Sequence, residues 1–356
     1  MQSKKYDGRM PDEISAYIPS AFKILKPKHI VIYQCKHLGD CVLTLPLLHR
    51  LLKELPAHGR ITVISQVTAR EIFDSVDARV SVLPLPKSLS AWVAAIKRLI
   101  GADVMCLPHT SSRALALGSL LGIPCVGSSG LRVLGFLKPR YGIPKCMVPW
   151  RHTAEQYLDL CRRLGLSIEH HDKAINLAHL LEPPLSENLR SRLPESYIVI
   201  QPGSRWMFKT PSAGFWSNVI ALLEAKSYKI VLTGSNQGAE GELVRNLVKN
   251  SHAISVAGRT TISDLAHIIK RAEAYLGVDT LATHLASGLG VSGLALYGPT
   301  SEKIWGPYGE NAKIVAYYLS DFPCRPCHSD GCGGGKVSEC LENMLAKDVV
   351  EALPSV

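Results

Sequence analysis

Residues 275–289 read Tyr-Leu-Gly-Val-Asp-Thr-Leu-Ala-Thr-His-Leu-Ala-Ser-Gly-Leu, and this stretch decides the fold class. A short apolar run ends in Gly277-Val-Asp-Thr280, and a helix of small residues opens almost at once with His284 in its first turn. A buried strand passing straight into a helix is the repeating unit of an α/β sheet. The helix start offers an anion free backbone N–H groups and partial positive charge. Asp279 stands at the carboxyl end of the strand, where open α/β sheets hold ligands. The alternative is an ordinary strand-to-helix turn in which Asp279 or Thr280 only caps the helix.

Working outward, the same alternation recurs. Apolar spacing predicts strands at 29–33, 60–65, 80–85, 104–107 and 124–127, separated or followed by helices at 42–53, 91–99, 114–121 and 152–164. The pattern lapses at Leu181-Glu-Pro-Pro-Leu-Ser, and prolines and charges continue to Pro194. A second series follows, with strands at 197–201, 229–233, 253–256, 274–278 and 292–297 and helices at 215–225, 240–249 and 262–271. Such alternation implies parallel sheets with right-handed crossovers. The expected organisation is a polar segment 1–28, a first α/β domain 29–180, a linker 181–194, a second α/β domain 195–345, and a C-terminal helix and tail 346–356. At 356 residues each domain can bury its own core. Two doubly wound domains, each ending its strands in Gly/Asp/Ser/Lys loops, suggest a ligand clamped between them.

Composition narrows the classes. An apolar fraction of 46% and a charged fraction of 20% fit a soluble globular protein. No run is long and apolar enough to cross a bilayer, and the N-terminal residues lead into no signal-peptide core, so the expected location is cytoplasmic. Forty Lys and Arg against thirty Asp and Glu leave a net charge of +10, which favours a polyanionic partner. The basic residues are denser in Leu131–Lys145 and at Arg190 and Arg192, and most simply solvate the surface. There is no basic arm and no interleaving of aromatics with Lys and Arg, which argues against nucleic acid as the partner.

Six of the ten cysteines, Cys35, Cys41, Cys106, Cys125, Cys146 and Cys161, are scattered through apolar or helical stretches and read as buried small hydrophobes. The other four, Cys324, Cys327, Cys332 and Cys340, follow C-x2-C-x4-C-x7-C with Gly331 and Gly333–Gly335 among them. Four thiols in a cytosolic loop point to a structural metal, zinc or iron, with His328 a spare ligand, against incidental thiols.

The loop after the first strand of the second domain, Gln201-Pro-Gly-Ser-Arg-Trp-Met-Phe-Lys209, is expected beside Asp279 at the same sheet edge. Ser204, Arg205 and Lys209 bring a hydroxyl and two cations to a helix start, a diphosphate site in outline. No Walker A loop is present, and no Gly-x-Gly-x-x-Gly follows either first strand, so neither a P-loop NTPase nor a nicotinamide or flavin enzyme is expected, and no organic cofactor. There is also no Asp-x-Asp pair to hold a divalent cation on a sugar-nucleotide diphosphate.

Taken in order, Leu38-Gly-Asp-Cys-Val-Leu-Thr-Leu-Pro46, Gln201-Pro-Gly-Ser-Arg205 with Lys209, Val231-Leu-Thr-Gly234, Gly277-Val-Asp-Thr280 with His284, and Tyr297-Gly-Pro-Thr300 with Trp305-Gly-Pro-Tyr-Gly309 resemble the bacterial lipopolysaccharide heptosyltransferases, glycosyltransferase family 9. The resemblance covers residues 29–345, and Ile200-Gln-Pro with Met207-Phe-Lys209 is most similar to the heptosyltransferase III branch. It implies the GT-B fold, two Rossmann-like domains facing across a cleft, with acceptor on the first and ADP-heptose on the second. It implies an inverting, metal-independent transfer of heptose to the lipopolysaccharide inner core, a phosphorylated glycolipid, at the anionic inner-membrane surface.

Residue by residue, the resemblance makes Asp40 the general base, where residue pattern alone would make it a helix N-cap, and puts Gly39 beside it at the substrate. Lys209 and Arg205 would meet the diphosphate, Ser204 and Thr280 would hydrogen-bond it, and Asp279 would hold sugar hydroxyls. His284 would back the phosphate or else pack, and Thr260, in Gly258-Arg-Thr-Thr261, would reach the nucleoside. Two departures stand out: Leu281 follows Asp-Thr where the family usually has glycine, and the thiol spacing differs from the four-cysteine iron site of the related autotransporter heptosyltransferases. A protein acceptor of that kind, or a non-catalytic sugar-nucleotide-binding GT-B protein, are the alternatives.

Overall fold

The computed structural model describes residues 26–109, 111–128, 141–143 and 151–354. Residues 1–25, Cys146 and all but 141–143 of the basic stretch Leu131–Lys145 lie outside the described residues. The chain forms two compact units, divided between Ile175 and Asn176.

The first unit is built around β1 (His29–Gln34), whose six residues are all buried, as a strand covered on both faces must be. It runs into α1 (Leu38–Leu43) and α2 (Leu45–Leu52), then β2 (Arg60–Ser65), α3 (Arg70–Phe73), β3 (Val80–Pro84) and α4 (Leu89–Leu99). β4 (Val104–Cys106), α5 (Ser112–Leu120), β5 (Cys125–Ser128), β6 (Tyr141–Ile143) and α6 (Thr153–Arg163) complete it. The sheet order is β3-β2-β1-β4-β5-β6, and every pairing is parallel. Its core packs Val31, Tyr33, Ile64, Leu99, Met105 and Leu115, and burying an aliphatic side chain of this size is worth about 1.5–3 kcal/mol.

The helix expected over 42–53 is broken at Thr44. Pro46 has no N–H and crowds the preceding turn, so the chain tightens: the Thr44 N–H bonds Cys41 O at 3.1 Å, and the Thr44 hydroxyl takes the Asp40 carbonyl at 2.8 Å. The break leaves α1 as a six-residue helix immediately after β1.

The second unit opens with α7 (Glu187–Arg190) and β7 (Ile198–Gln201), then α8 (Ala213–Ala225), β8 (Ile230–Leu232), α9 (Gly238–Lys249), β9 (Ile254–Ser255) and α10 (Ile262–Lys270). It continues through β10 (Ala274–Val278), α11 (Leu281–Gly288), β11 (Ser292–Leu296), α12 (Glu302–Trp305), β12 (Lys313–Tyr317), α13 (Glu339–Glu342) and α14 (Ala346–Ala352). Its sheet, β12-β11-β10-β7-β8-β9, is again parallel throughout. Trp216, Val219 and Leu223 of α8 pack with Val349 and Val350 of α14 in the core. Residues 181–194, read from sequence as a linker, lie within this unit. Ser263 Oγ donates to the Leu180 carbonyl at 2.6 Å, and the His267 ring donates to Pro183 O at 2.7 Å.

Candidate active site

In each unit the chain moves outward from its first strand on one side, then crosses back and proceeds on the other. The order therefore reverses between β1 and β4 in the first unit and between β7 and β10 in the second. Such switch points open a crevice at the carboxyl ends of the strands, and ligands bind there. Most of the residues singled out from sequence fall at these two edges.

At the first, Asp40 is the third residue of α1 and His37 holds the N-cap position, so Asp40 is not the cap. Its carboxylate sits in the first turn, where the helix dipole favours negative charge. Tyr157 of α6 donates to Asp40 Oδ1 at 3.0 Å. Burial, and then the Asp40 charge, hold the Tyr157 phenol well above the usual tyrosine range, so it remains a donor at any physiological pH. Gln34, fully buried at the end of β1, donates to Thr44 Oγ1 at 2.7 Å and so ties strand, Thr44 and the Asp40 backbone together. Gly39 is half-buried beside Asp40. His109 follows β4 across the same switch point and stacks at a tilt on Tyr33, ring centroids 6.3 Å apart. Burial, helped by Lys36 and His37, lowers the His109 imidazole to about 4, which keeps it neutral, and its buried Nδ1 makes no hydrogen bond among the described residues.

At the second, the loop after β7 meets the end of β10. Lys209 Nζ donates to Asp279 Oδ2 at 2.7 Å, with the carboxylate buried and the ammonium mostly so. An ammonium has three donors, so two remain beyond this bond. Thr280 takes the N-cap position of α11, but its hydroxyl does not cap the helix and interacts instead with the buried Tyr275 phenol. The helix start is therefore open to an outside acceptor.

Two contacts seat α11 tightly on its strand. Thr283 Oγ1 donates to Val278 O at 2.7 Å and lies 3.0 Å from Tyr275 Oη. Gly277 is required because a Cβ there would come within 2.3 Å of that Tyr275 oxygen. His284 is buried in α11 and Leu281 is half-buried at its first position.

Ser204 is buried, its N–H bonded to Thr210 Oγ1 at 3.1 Å and its Oγ accepting from the Trp206 N–H at 3.2 Å. Arg205 is exposed, with its guanidinium 5.3 Å from the Trp206 ring centroid. Thr260 is half-buried in the loop after β9, two strands from β7 and so about 10 Å away along the sheet edge. Gln201 links β7 to the neighbouring α9 through Glu240 Oε1 at 2.9 Å. Tyr157, His109, Gln34 and Glu240 carry no sequence motif. Only their lodgement in or beside apolar runs hinted at burial.

The four clustered thiols lie on the segment after β12. Cys324, Cys327 and Cys332 are exposed and Cys340 is buried. Burial pushes the Cys340 thiol up to about 11, with Arg325 opposing and the other three thiols reinforcing. Among the described residues no three His, Cys, Asp or Glu side chains stand in a ligating group. Arg325 anchors the segment, donating to Gly298 O at 2.6 Å and to Glu302 at 3.1 Å. Of the scattered cysteines, Cys41, Cys106, Cys125 and Cys161 are buried and Cys35 is half-buried.

The chain belongs to glycosyltransferase family 9 (heptosyltransferase), whose model matches residues 133–337. Among curated proteins it is similar to lipopolysaccharide heptosyltransferase 3 of Escherichia coli, 26% identical over 184 residues, 49% of this chain and 52% of that one. The chain thus spans about half the length of that relative. Among solved structures, a family 9 glycosyl transferase from Veillonella parvula superposes with a TM-score of 0.74 at 22% identity, covering 93% of this chain and 97% of that one. E. coli heptosyltransferase WaaC with ADP gives 0.68 at 19% identity, covering 91% and 98%. The same enzyme with ADP-2-deoxy-2-fluoro heptose gives 0.62 at 21% identity, covering 81% and 92%. The two parallel-sheet α/β units are those of the GT-B fold.

Proposed function

We propose that this protein is an inverting glycosyltransferase that moves a heptose from ADP-heptose to the inner core of lipopolysaccharide. The observation that carries this function is the Lys209–Asp279 pair at the second switch point, beside the side-chain-uncapped start of α11, in a chain of the heptosyltransferase family. The names of the relatives and the ADP ligands of the WaaC structures support the choice of donor and acceptor.

Residues 195–345 hold the donor and residues 29–180 the acceptor. An acceptor hydroxyl attacks the anomeric carbon from the face opposite the diphosphate while Asp40 takes its proton, with Gly39 at the substrate. The bond to the diphosphate oxygen breaks and ADP leaves, so the anomeric configuration inverts. General-base help of this kind contributes about 10²–10⁴-fold. Lys209, Arg205 and the α11 N-terminus meet the leaving charge without a divalent cation, and Ser204 and Thr280 hydrogen-bond its oxygens. Asp279 orients the sugar, His284 backs the phosphates, and Thr260 reaches the nucleoside. The expected setting is the cytoplasmic face of the inner membrane, where the acceptor glycolipid lies.

The exposed Cys324, Cys327 and Cys332 beside Cys340 favour a second acceptor, an autotransporter protein, and a structural zinc or iron on these thiols. The four thiols suit either metal in donor type, the other three help hold the Cys340 thiol up, and the metal would brace the segment anchored by Arg325. Metal analysis of protein purified without chelators tests it, and less than about a tenth of an equivalent removes the metal. The activity is tested by offering ADP-heptose with truncated core glycolipids, and separately with an autotransporter fragment, and weighing the product. Asp40→Ala should abolish transfer and leave ADP affinity nearly intact. Unchanged transfer would remove Asp40 as the base.

A further inference from the structure

Ser338 stands just before α13, where a serine ordinarily turns its oxygen onto the first free N–H groups of the helix. Here the hydroxyl makes no such cap. The residue is 3% exposed, and its hydroxyl donates instead to the Phe208 carbonyl, 130 positions away, at 2.7 Å. Phe208 lies in the tight turn Met207–Lys209, which delivers Lys209 to Asp279. Within that turn the Lys209 N–H bonds Trp206 O and the Thr210 N–H bonds Met207 O, both at 2.9 Å. The Phe208 carbonyl is the next in line, and Ser338 supplies its donor.

The segment that carries Ser338 is fastened on the other side of β10 as well. The His328 N–H donates to Pro299 O at 2.9 Å, beside the bond from Arg325 to Gly298 O. Leu341 packs so closely on Gly298 that a Cβ there would come within 2.5 Å of Leu341 Cγ. The sheet runs β12-β11-β10-β7, so the loops held in this way follow β11 and β7, the two neighbours of β10. Residues 325–341 thus grip both flanks of the strand that leads into Asp279. Of these contacts, that of Ser338 reaches the Lys209 turn. A lysine stem is flexible, so the place of its ammonium depends on how firmly the backbone beneath it is held.

We propose that Ser338 positions Lys209, and that the segment after β12 is a strut for the turn that meets the donor. This role rests on Lys209 facing the diphosphate, yet part of its test needs no ligand. In Ser338→Ala the Lys209 and Thr210 amides should exchange with deuterium about fivefold faster, since one hydrogen bond of this class shifts an equilibrium by that much. Amides of β7 and β10 should keep their protection, which separates a released turn from a loosened fold. ADP affinity, read by calorimetry, should fall about fivefold, and the donor KM should rise while the acceptor KM changes less than about twofold. In a Lys209→Met background the same substitution should change ADP affinity no further, because the two residues act through one interaction.

Parent-like exchange and ADP affinity in Ser338→Ala overturn the proposal. An equal loss of affinity in the Lys209→Met background, or faster exchange throughout β7 and β10, also overturns it and makes Ser338 a packing residue only. Faster exchange confined to residues 206–210, in a protein whose parent binds no ADP, would uphold the strut and refute the donor function.

Discussion

Asp40 and Tyr157 are 117 positions apart, yet one hydrogen bond of 3.0 Å joins them. The bond occupies Oδ1 and leaves Oδ2 to receive an acceptor proton, so Tyr157 positions the proposed base without touching the reacting atoms. Hydrogen bonds to a charged group are worth about 1.5–3 kcal/mol, and a part of that, roughly one tenfold step in rate, should appear in kcat. Tyr157→Phe is therefore expected to lower kcat about tenfold while the acceptor KM and ADP affinity change less than about twofold. In an Asp40→Asn background the same substitution should have no further effect on residual rate, because a double-mutant cycle reports the shared interaction. Steady-state kinetics on the four proteins check this, and additive losses would sink it. The pairing of Lys209 with Asp279 is the counterpart in the second unit: each was expected from sequence to face ligand, and the structure adds that they also face each other.

At the scale of elements, α6 is what places Tyr157, and a buried ionic cluster holds α6. Arg151 binds Asp159 through two nitrogens at 2.8 and 2.7 Å, Arg162 binds it at 2.5 Å and reaches Glu155 at 3.2 Å, and Lys173 lies 3.4 Å from Glu155. Removing one partner leaves the others buried and uncompensated. Asp159→Ala should then cost about 3–5 kcal/mol, read as a lower urea midpoint with an unchanged slope. A midpoint within error of the parent would show the cluster to be replaceable.

The sequence pattern placed the strands at 29–33, 60–65, 197–201 and 274–278 within a residue or two of where they lie, because continuous apolar runs between glycine and polar turns are a local signal. It missed β6 and β12 and carried one helix across Thr44. β12 is an edge strand specified by pairing with β11, and the Thr44 break needs the Thr44 hydroxyl to capture the Asp40 carbonyl as well as the Pro46 ring.

At the scale of the molecule, the described residues of 26–175 and those of 176–354 each form a doubly wound sheet with its own core. The sequence by itself determined that there are two α/β halves of parallel strands, that Asp40, Lys209 and Asp279 follow closely on strands of those halves, and which family the ordered motifs resemble. These follow from periodicity, turn chemistry and residue type, all of which act over a few neighbours along the chain. The tertiary structure alone decided the strand orders, and with them the switch points that gather distant loops at one edge. It alone paired Tyr157 with Asp40 and Lys209 with Asp279. The reason is physical: helix and strand periods say which faces of an element are apolar, but which face is covered, and by what, is settled only when all the elements compete for burial in one packed fold.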